Sequence, residues 1–145
     1  MHNTQFWLAL DRLLIACQVI INHPKGSPHP QDPNHVYPVD YGYLRETRSS
    51  GGASLDIFVG KGPSNPVGVV GIINLVNLVH READMKLLVR CNSAETQAVL
   101  AFLNAHWQYA LYIPRPTALP YTQHNTQHTP PPQDDPERTE PRPLR

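Results

Sequence analysis

The sequence predicts a mainly β domain with helices, an α+β fold built as a small closed or twisted β-barrel (OB-like) flanked by two helices. Three observations carry this expectation. Between residues 18 and 91, short segments rich in Val, Ile, Leu and Tyr are separated by Pro- and Gly-rich turns, as in consecutive strands. On either side of most of these segments lies a stretch with apolar residues at helical spacing. The chain has 145 residues, 40% of them hydrophobic, which suits one domain with a modest core.

The elements follow in order. Phe6, Leu10, Leu13 and Leu14, with Trp7 and Ala9 nearby, predict an amphipathic helix over residues 4–16. Val19-Ile20-Ile21 reads as a strand that ends at Asn22-His23-Pro24. Residues 24–35 hold four prolines and a glycine and read as a loop. Residues 36–44, VYPVDYGYL, are aromatic-rich and extended, because Pro38 excludes a helix interior and biases its neighbours to strand or turn. Ser49-Ser50-Gly51-Gly52 marks a turn. Leu55, Ile57 and Val59 then alternate with Asp56 and Phe58, a half-buried strand pattern.

Asp56 is the first residue with a chemical signature. A carboxylate inside such a strand needs a partner, a metal or water, since an unpaired buried charge is too costly to keep. Further on, residues 61–66 form a turn, and Val67 to Val79 reads as one long bent strand interrupted by Gly68 and Gly71. His80 to Ala83 is a polar turn, and Asp84 to Cys91 returns as the second arm of a hairpin. Asn92 and Glu95 form a capping box that opens a helix from Ser93 to about Ala105, with Val99, Leu100, Phe102 and Leu103 as its apolar face. Tyr109 to Ile113 closes the domain as a strand.

Nine of the sixteen prolines fall in residues 114–145, with almost no aliphatic side chains, so that segment cannot bury enough surface to fold alone. The expected organisation is a domain over 1–115 and a disordered proline-rich tail over 116–145. The near-repeat Thr122-Gln123-His124 and Thr126-Gln127-His128 is low-complexity sequence within that tail.

Charge and composition bound the function. A formal charge of zero provides no electrostatic case for nucleic acid or an anionic membrane as partner. The apolar run near the N-terminus is broken by Asp11 and Arg12 and has no basic lead, which argues against a signal peptide. No window reaches the roughly 18 apolar residues of a membrane span. Cys17 and Cys91 sit far apart in apolar contexts and read as buried free thiols, with one disulfide as the alternative. A cytoplasmic protein is the expectation. Oligomeric state is left open, a homo-oligomer included.

The segment Tyr37-Pro38-Val39-Asp40-Tyr41-Gly42-Tyr43-Leu44, the Gly-rich turn after it, Asp56, and the pair Asp84-x-Lys86 together resemble the soluble, magnesium-dependent inorganic pyrophosphatases. That resemblance implies Mg2+ as cofactor, pyrophosphate or a related phosphate compound as ligand, and hydrolysis to phosphate. It implies catalytic roles for Tyr41 and Asp56, substrate contacts from Tyr37 and Lys86, and metal ligation by Asp56 and Asp84. Asp40 belongs to the same retained set. The chemistry demands such residues, because metal ions must neutralise the phosphate oxygens and lower the pKa of the attacking water. Magnesium takes oxygen ligands, so a site built on several ions needs a cluster of carboxylates.

The match is incomplete. Two acidic positions of the family's D-x-D-x-x-D box are Gly51 and Ala53 here, and Ala53 stands where the resemblance implies the acid that assists the attacking water. Asn22 and Asn77 replace two further acids, keeping an oxygen but losing a charge. A Tyr-Lys pair near the C-terminal helix corresponds to His106 and Trp107. The sequence therefore supports two readings: a weakly active Mg-dependent pyrophosphatase, or an inactive relative that binds phosphate or another partner. Of the eight histidines one pair, His124 and His128, has H-x-x-x-H spacing, and it falls in the low-complexity repeat, where metal binding is not expected.

Overall fold

The computed structural model describes residues 3–63 and 68–116, so the predicted tail and its repeat lie outside the described residues. The first helix, α1, spans Thr4–Ala16. Asn3 caps it by accepting the Phe6 N–H at 3.1 Å. Its buried stripe is Trp7, Leu10, Asp11 and Leu14, whereas Phe6 and Leu13 face outward. Asp11 thus lies on the core side of the helix.

The strands are β1 (Val19–His23), β2 (Pro28–His29), β3 (Asp32–Val36), β4 (Asp40–Leu44), β5 (Leu55–Val59), β6 (Val69–Asn77), β7 (Glu82–Val89) and β8 (Gln108–Pro114), with helix α2 (Ser93–Leu103) between β7 and β8. Six of them form one mixed sheet in the order β1-β4-β5-β7-β6-β8, and only β5 and β7 run parallel. The sheet is twisted and open rather than a closed barrel. Closure would need β1 and β8 to pair, and the parallel β5–β7 step leaves them at opposite edges. Among the described residues no helix is long and apolar enough to cross a membrane.

Each face of the sheet carries one helix. Trp7, Leu10 and Leu14 of α1 pack with Leu44, Leu55, Ile57, Leu87 and Val89. Val99, Phe102 and Leu103 of α2 pack with Phe58, Ile73, Leu75 and Leu88 on the other face. Strand β5 is therefore covered on both sides, and Phe58 is fully buried beside the half-exposed Asp56. Burying a side chain of that size stabilises by about 1.5–3 kcal/mol. Gly42 is required where β1 meets β4, because a Cβ there would overlap the Ile20 carbonyl.

Several boundaries differ from those the sequence predicts. The expected loop at 24–35 contains the β2–β3 ribbon, with Pro28 opposite Val36. A two-stranded ribbon tolerates proline because an edge position needs no donated N–H. The ribbon is tied back at its base, where Tyr37 N–H donates to the Ser27 carbonyl at 3.0 Å. Strand β7 starts at Glu82, inside the expected turn, because Asn77 Oδ1 accepts the N–H groups of Val79 and His80 and tightens the reversal. Helix α2 keeps its predicted capping box, with Asn92 and Glu95 bonding reciprocally at 2.8 and 3.0 Å, but it ends at Leu103. His106 and Trp107 then turn the chain with φ of 54° and 65°. Cys17 and Cys91 are half-buried free thiols, and burial, followed by the Glu95 charge, pushes Cys91 up to about 12.

Candidate functional site

Alternation along two neighbouring strands builds the polar centre. On β5, Asp56 shares the α2 side of the sheet with Phe58; on β7, Asp84 and Lys86 share that side with Leu88. The parallel register that sets Ile57 beside Leu87 brings Asp56 alongside Lys86 one step earlier. Tyr41 arrives from β4, opposite Phe58.

Lys86 is the hub. Its ammonium donates to Asp56 Oδ2 at 2.6 Å, to the Tyr41 hydroxyl at 3.2 Å and to Asp84 Oδ2 at 3.4 Å, which matches its three protons to three acceptors. Lys86 is only 7% exposed, while the two carboxylates keep about a third of their side-chain surface in solvent. Burial raises the Tyr41 phenol far above its usual range, and the charge of Asp56 and a hydrogen bond to it reinforce the shift. Tyr37 is raised as well, first by burial. Both phenols are neutral donors at any physiological pH. Replacing Lys86 by Met is expected to lower folding stability by about 1–3 kcal/mol, because two adjacent carboxylates would lose their shared cation. Urea denaturation measures this, and an unchanged midpoint would show that the contacts contribute nothing.

From Lys86 a line of rings crosses the α2 side. Tyr41 stacks on Tyr37 at 5.2 Å, Tyr37 meets Phe102 at 4.7 Å, and His35 lies flat on Phe102 at 4.0 Å with 4° between the planes. His23 stacks on Tyr37 from β1, and His29 lies 5.8 Å from His35. His106 closes the line, 5.3 Å from His35, with its Nε2 3.3 Å from Asp32 Oδ2. Tyr37, Tyr41, Lys86, His29, His35 and His106 line a cleft of about 580 Å³, with His29 stacked over Tyr37 at 6.0 Å. Asp56 and Asp84 touch Lys86 without lining the cleft.

The structure thus brings Tyr37, Tyr41, Asp56, Asp84 and Lys86 together, and it sets the remaining positions apart. Asp40 accepts the Lys25 N–H at 2.8 Å and holds the turn that precedes the β2–β3 ribbon. Gly51 and Ala53 lie in the exposed turn before β5. Asn22 is exposed, and its neighbour His23 stacks over Tyr37 beside Tyr41 instead. Asn77 borders the cleft, but its amide oxygen is engaged by two backbone N–H groups, so the expected oxygen ligand is already in use. The histidine group was not visible in the sequence, because its members come from four separate segments and share no spacing. Only the high histidine count, eight in 145 residues, signalled it.

These residues do not fit the several-ion cluster that the resemblance implies. The facing oxygens of Asp56 and Asp84 already hold the Lys86 ammonium between them. Among the described residues no three His, Cys, Asp or Glu side chains are grouped to hold a metal ion.

The sheet and its two helices form an α+β domain whose fold is similar to that of solved inorganic pyrophosphatases. An inorganic pyrophosphatase from Coxiella burnetii superposes with a TM-score of 0.52 at 17% identity, covering 67% of this chain and 84% of that one. The inorganic pyrophosphatase from Thermus thermophilus gives 0.53 at 19% identity, covering 67% and 81%. At such identities the likeness is one of fold. No protein-family model matches the sequence, and comparison with curated proteins finds no match.

Proposed function

We propose that the chain is a pyrophosphatase-fold protein that binds a phosphate compound in the cleft beside Lys86, Tyr37 and Tyr41 without hydrolysing pyrophosphate at an enzymatic rate. The observation that carries this reading is the position of Lys86, whose ammonium occupies the space between the two retained carboxylates. With Ala53 in place of a further acid, the carboxylates lining the cleft among the described residues are Asp32, paired with His106, and Glu82, and neither is a partner of Lys86. Tyr37 lines the cleft as a neutral phenol, a donor suited to phosphate oxygens, and the Lys86 ammonium supplies positive charge at the same wall. That the structural neighbours are inorganic pyrophosphatases supports phosphate as the ligand class.

One observation favours a second reading, a weak Mg-dependent pyrophosphatase: Tyr41, Asp56 and Asp84 all converge on Lys86. Phosphate release from pyrophosphate under a magnesium titration separates the two, with protein freed of host pyrophosphatase. The expected result is release no faster than from the Asp56→Asn variant. Magnesium-dependent release that disappears in Asp56→Asn would overturn the proposal and establish the hydrolase.

A further inference from the structure

We infer that the sheet face formed by β6, β7 and β8 on the α1 side is the interface of a twofold dimer of this chain. The strand register places three rows of side chains on that face: Leu87, Ile72 and Ile113, then Met85, Asn74 and Leu111, then Ala83, Val76 and Tyr109. Helix α1 covers the first row, where Ile72 and Leu87 are buried in its cluster. The cover thins away from it: Ile113 is 37% exposed, Leu111 64% and Tyr109 55%, and Asn74, Val76 and Ala83 are exposed as well. On the α2 side of the same strands Ile73, Leu75 and Leu88 are all buried.

The edge of β8 is closed to a further strand. The outward N–H groups of Gln108 and Ala110 donate within the chain, to the Ala105 carbonyl at 3.0 Å and to Asn104 Oδ1 at 2.8 Å, and Pro114 has no N–H. A partner therefore packs on the face, sheet against sheet, rather than extending the ladder.

The character of the face selects a second copy. None of the nine residues in the three rows is charged, in a chain with 17% charged residues. At a twofold axis a patch meets itself, so any charge on it would oppose a like charge. This face escapes that penalty and offers a charged partner nothing to pair with. Its area also suits a dimer. At roughly 150–250 Å² for a whole aromatic side chain, Tyr109 and, just before the strand, the 66% exposed Trp107 bare about 200 Å². Val76, Leu78, Leu111 and Ile113, each a third to two-thirds exposed, add about as much again. Leu78 continues the pairing of β6 with β8, its N–H donating to the Trp107 carbonyl at 3.1 Å, so these two adjoin the third row. A standard interface takes roughly 800 Å² from each partner, of which about 450 Å² is apolar. The strip comes close to that share, which suits a weak, concentration-dependent dimer.

The face lies opposite the cleft that Lys86 lines, so this inference stands apart from the phosphate reading. Sedimentation of the full chain across a concentration series is the test. Mass is expected to rise from one chain to two and stop there, with a Kd of roughly 10–100 μM. Leu111→Lys sets like charges across the axis and should weaken association at least about tenfold. It should leave the melting temperature of the dilute protein unchanged, because the side chain is exposed and an edge strand tolerates lysine. Tyr109→Thr keeps a residue suited to strands and should weaken association in the same direction, which guards against a folding defect in the first variant. A single chain at every concentration, or undiminished association in both variants, would overturn the inference. So would mass that grows past two chains, since that marks a head-to-tail contact between different patches. If the chain stays single and Leu111→Lys lowers its melting temperature, the face is covered from within the chain, by residues beyond Pro116, and the dimer is overturned equally.

Discussion

Arg115→Met is expected to lower folding stability by about 3–5 kcal/mol, the largest effect of any single side chain outside the apolar core. Arg115 lies just beyond β8 and is 5% exposed, and its partner Asp11 on α1 is fully buried. The two form a bidentate pair, with Nη1 to Oδ1 at 2.8 Å and Nη2 to Oδ2 at 3.0 Å. Asp11 Oδ1 also accepts the Val69 N–H at 3.0 Å, and Arg115 Nη1 donates to the Val69 carbonyl at 3.2 Å. The pair thus fastens α1, the start of β6 and the end of β8 to one another. Removing the guanidinium leaves a buried carboxylate without its countercharge, and that uncompensated charge is what costs so much. The double change Asp11→Leu with Arg115→Met should recover most of the loss, because an apolar pair leaves no buried charge.

The same contact sets where the chain can be shortened. A chain that ends at Pro116 should melt as the full chain does, whereas one that ends at Pro114 should lose as much as Arg115→Met. Equal melting of both shortened chains would show that the Asp11–Arg115 pair is energetically idle. A large loss on ending at Pro116 would instead show that residues beyond it pack on the domain.

Replacing Gly51 and Ala53 together by Asp is expected to raise magnesium affinity and to increase pyrophosphate hydrolysis by on the order of 10²-fold, the usual contribution of a placed acid or base. The sites accept the change: nothing lies within 4 Å of a Cβ at Gly51, and Ala53 is exposed. Gly52, with φ of 87°, stays as it is to keep the turn. The gain should require Asp56, so the same pair of changes in an Asp56→Asn background should yield much less. Some stability will be lost without metal, since the added carboxylates repel one another and Asp56. Calorimetric magnesium titration and phosphate release measure the two effects. No gain in either, with the protein folded and magnesium in excess, would mean that the acidic box is not what separates this cleft from a hydrolase.

Local pattern determined a good part of this protein. The capping box at Asn92 and Glu95, the turn at Gly51-Gly52 and the alternation of Asp56 and of Asp84-x-Lys86 depend on residues a few positions apart, so the sequence alone placed them. The meeting of Asp56 with Lys86 was legible for a related reason: both sit on strand faces with a fixed period of two, and one register brings them side by side. Even so, the direct contact that occupies both carboxylates, and so decides against a cluster of ions, appears only once the two strands are paired.

What the tertiary structure decided involves partners distant in sequence. Asp11 reads as a break in an apolar helix face until Arg115, 104 residues away, is folded against it. Buried charge is then allowed because it is paired, a condition that no window of sequence displays. The openness of the sheet depends on the parallel step from β5 to β7, which neither strand encodes by itself. The ribbon inside the proline-rich stretch and the histidines it carries to Phe102 likewise depend on long-range packing. Periodicity and capping are properties of neighbours along the chain; pairing of charges and grouping of rings are properties of neighbours in space.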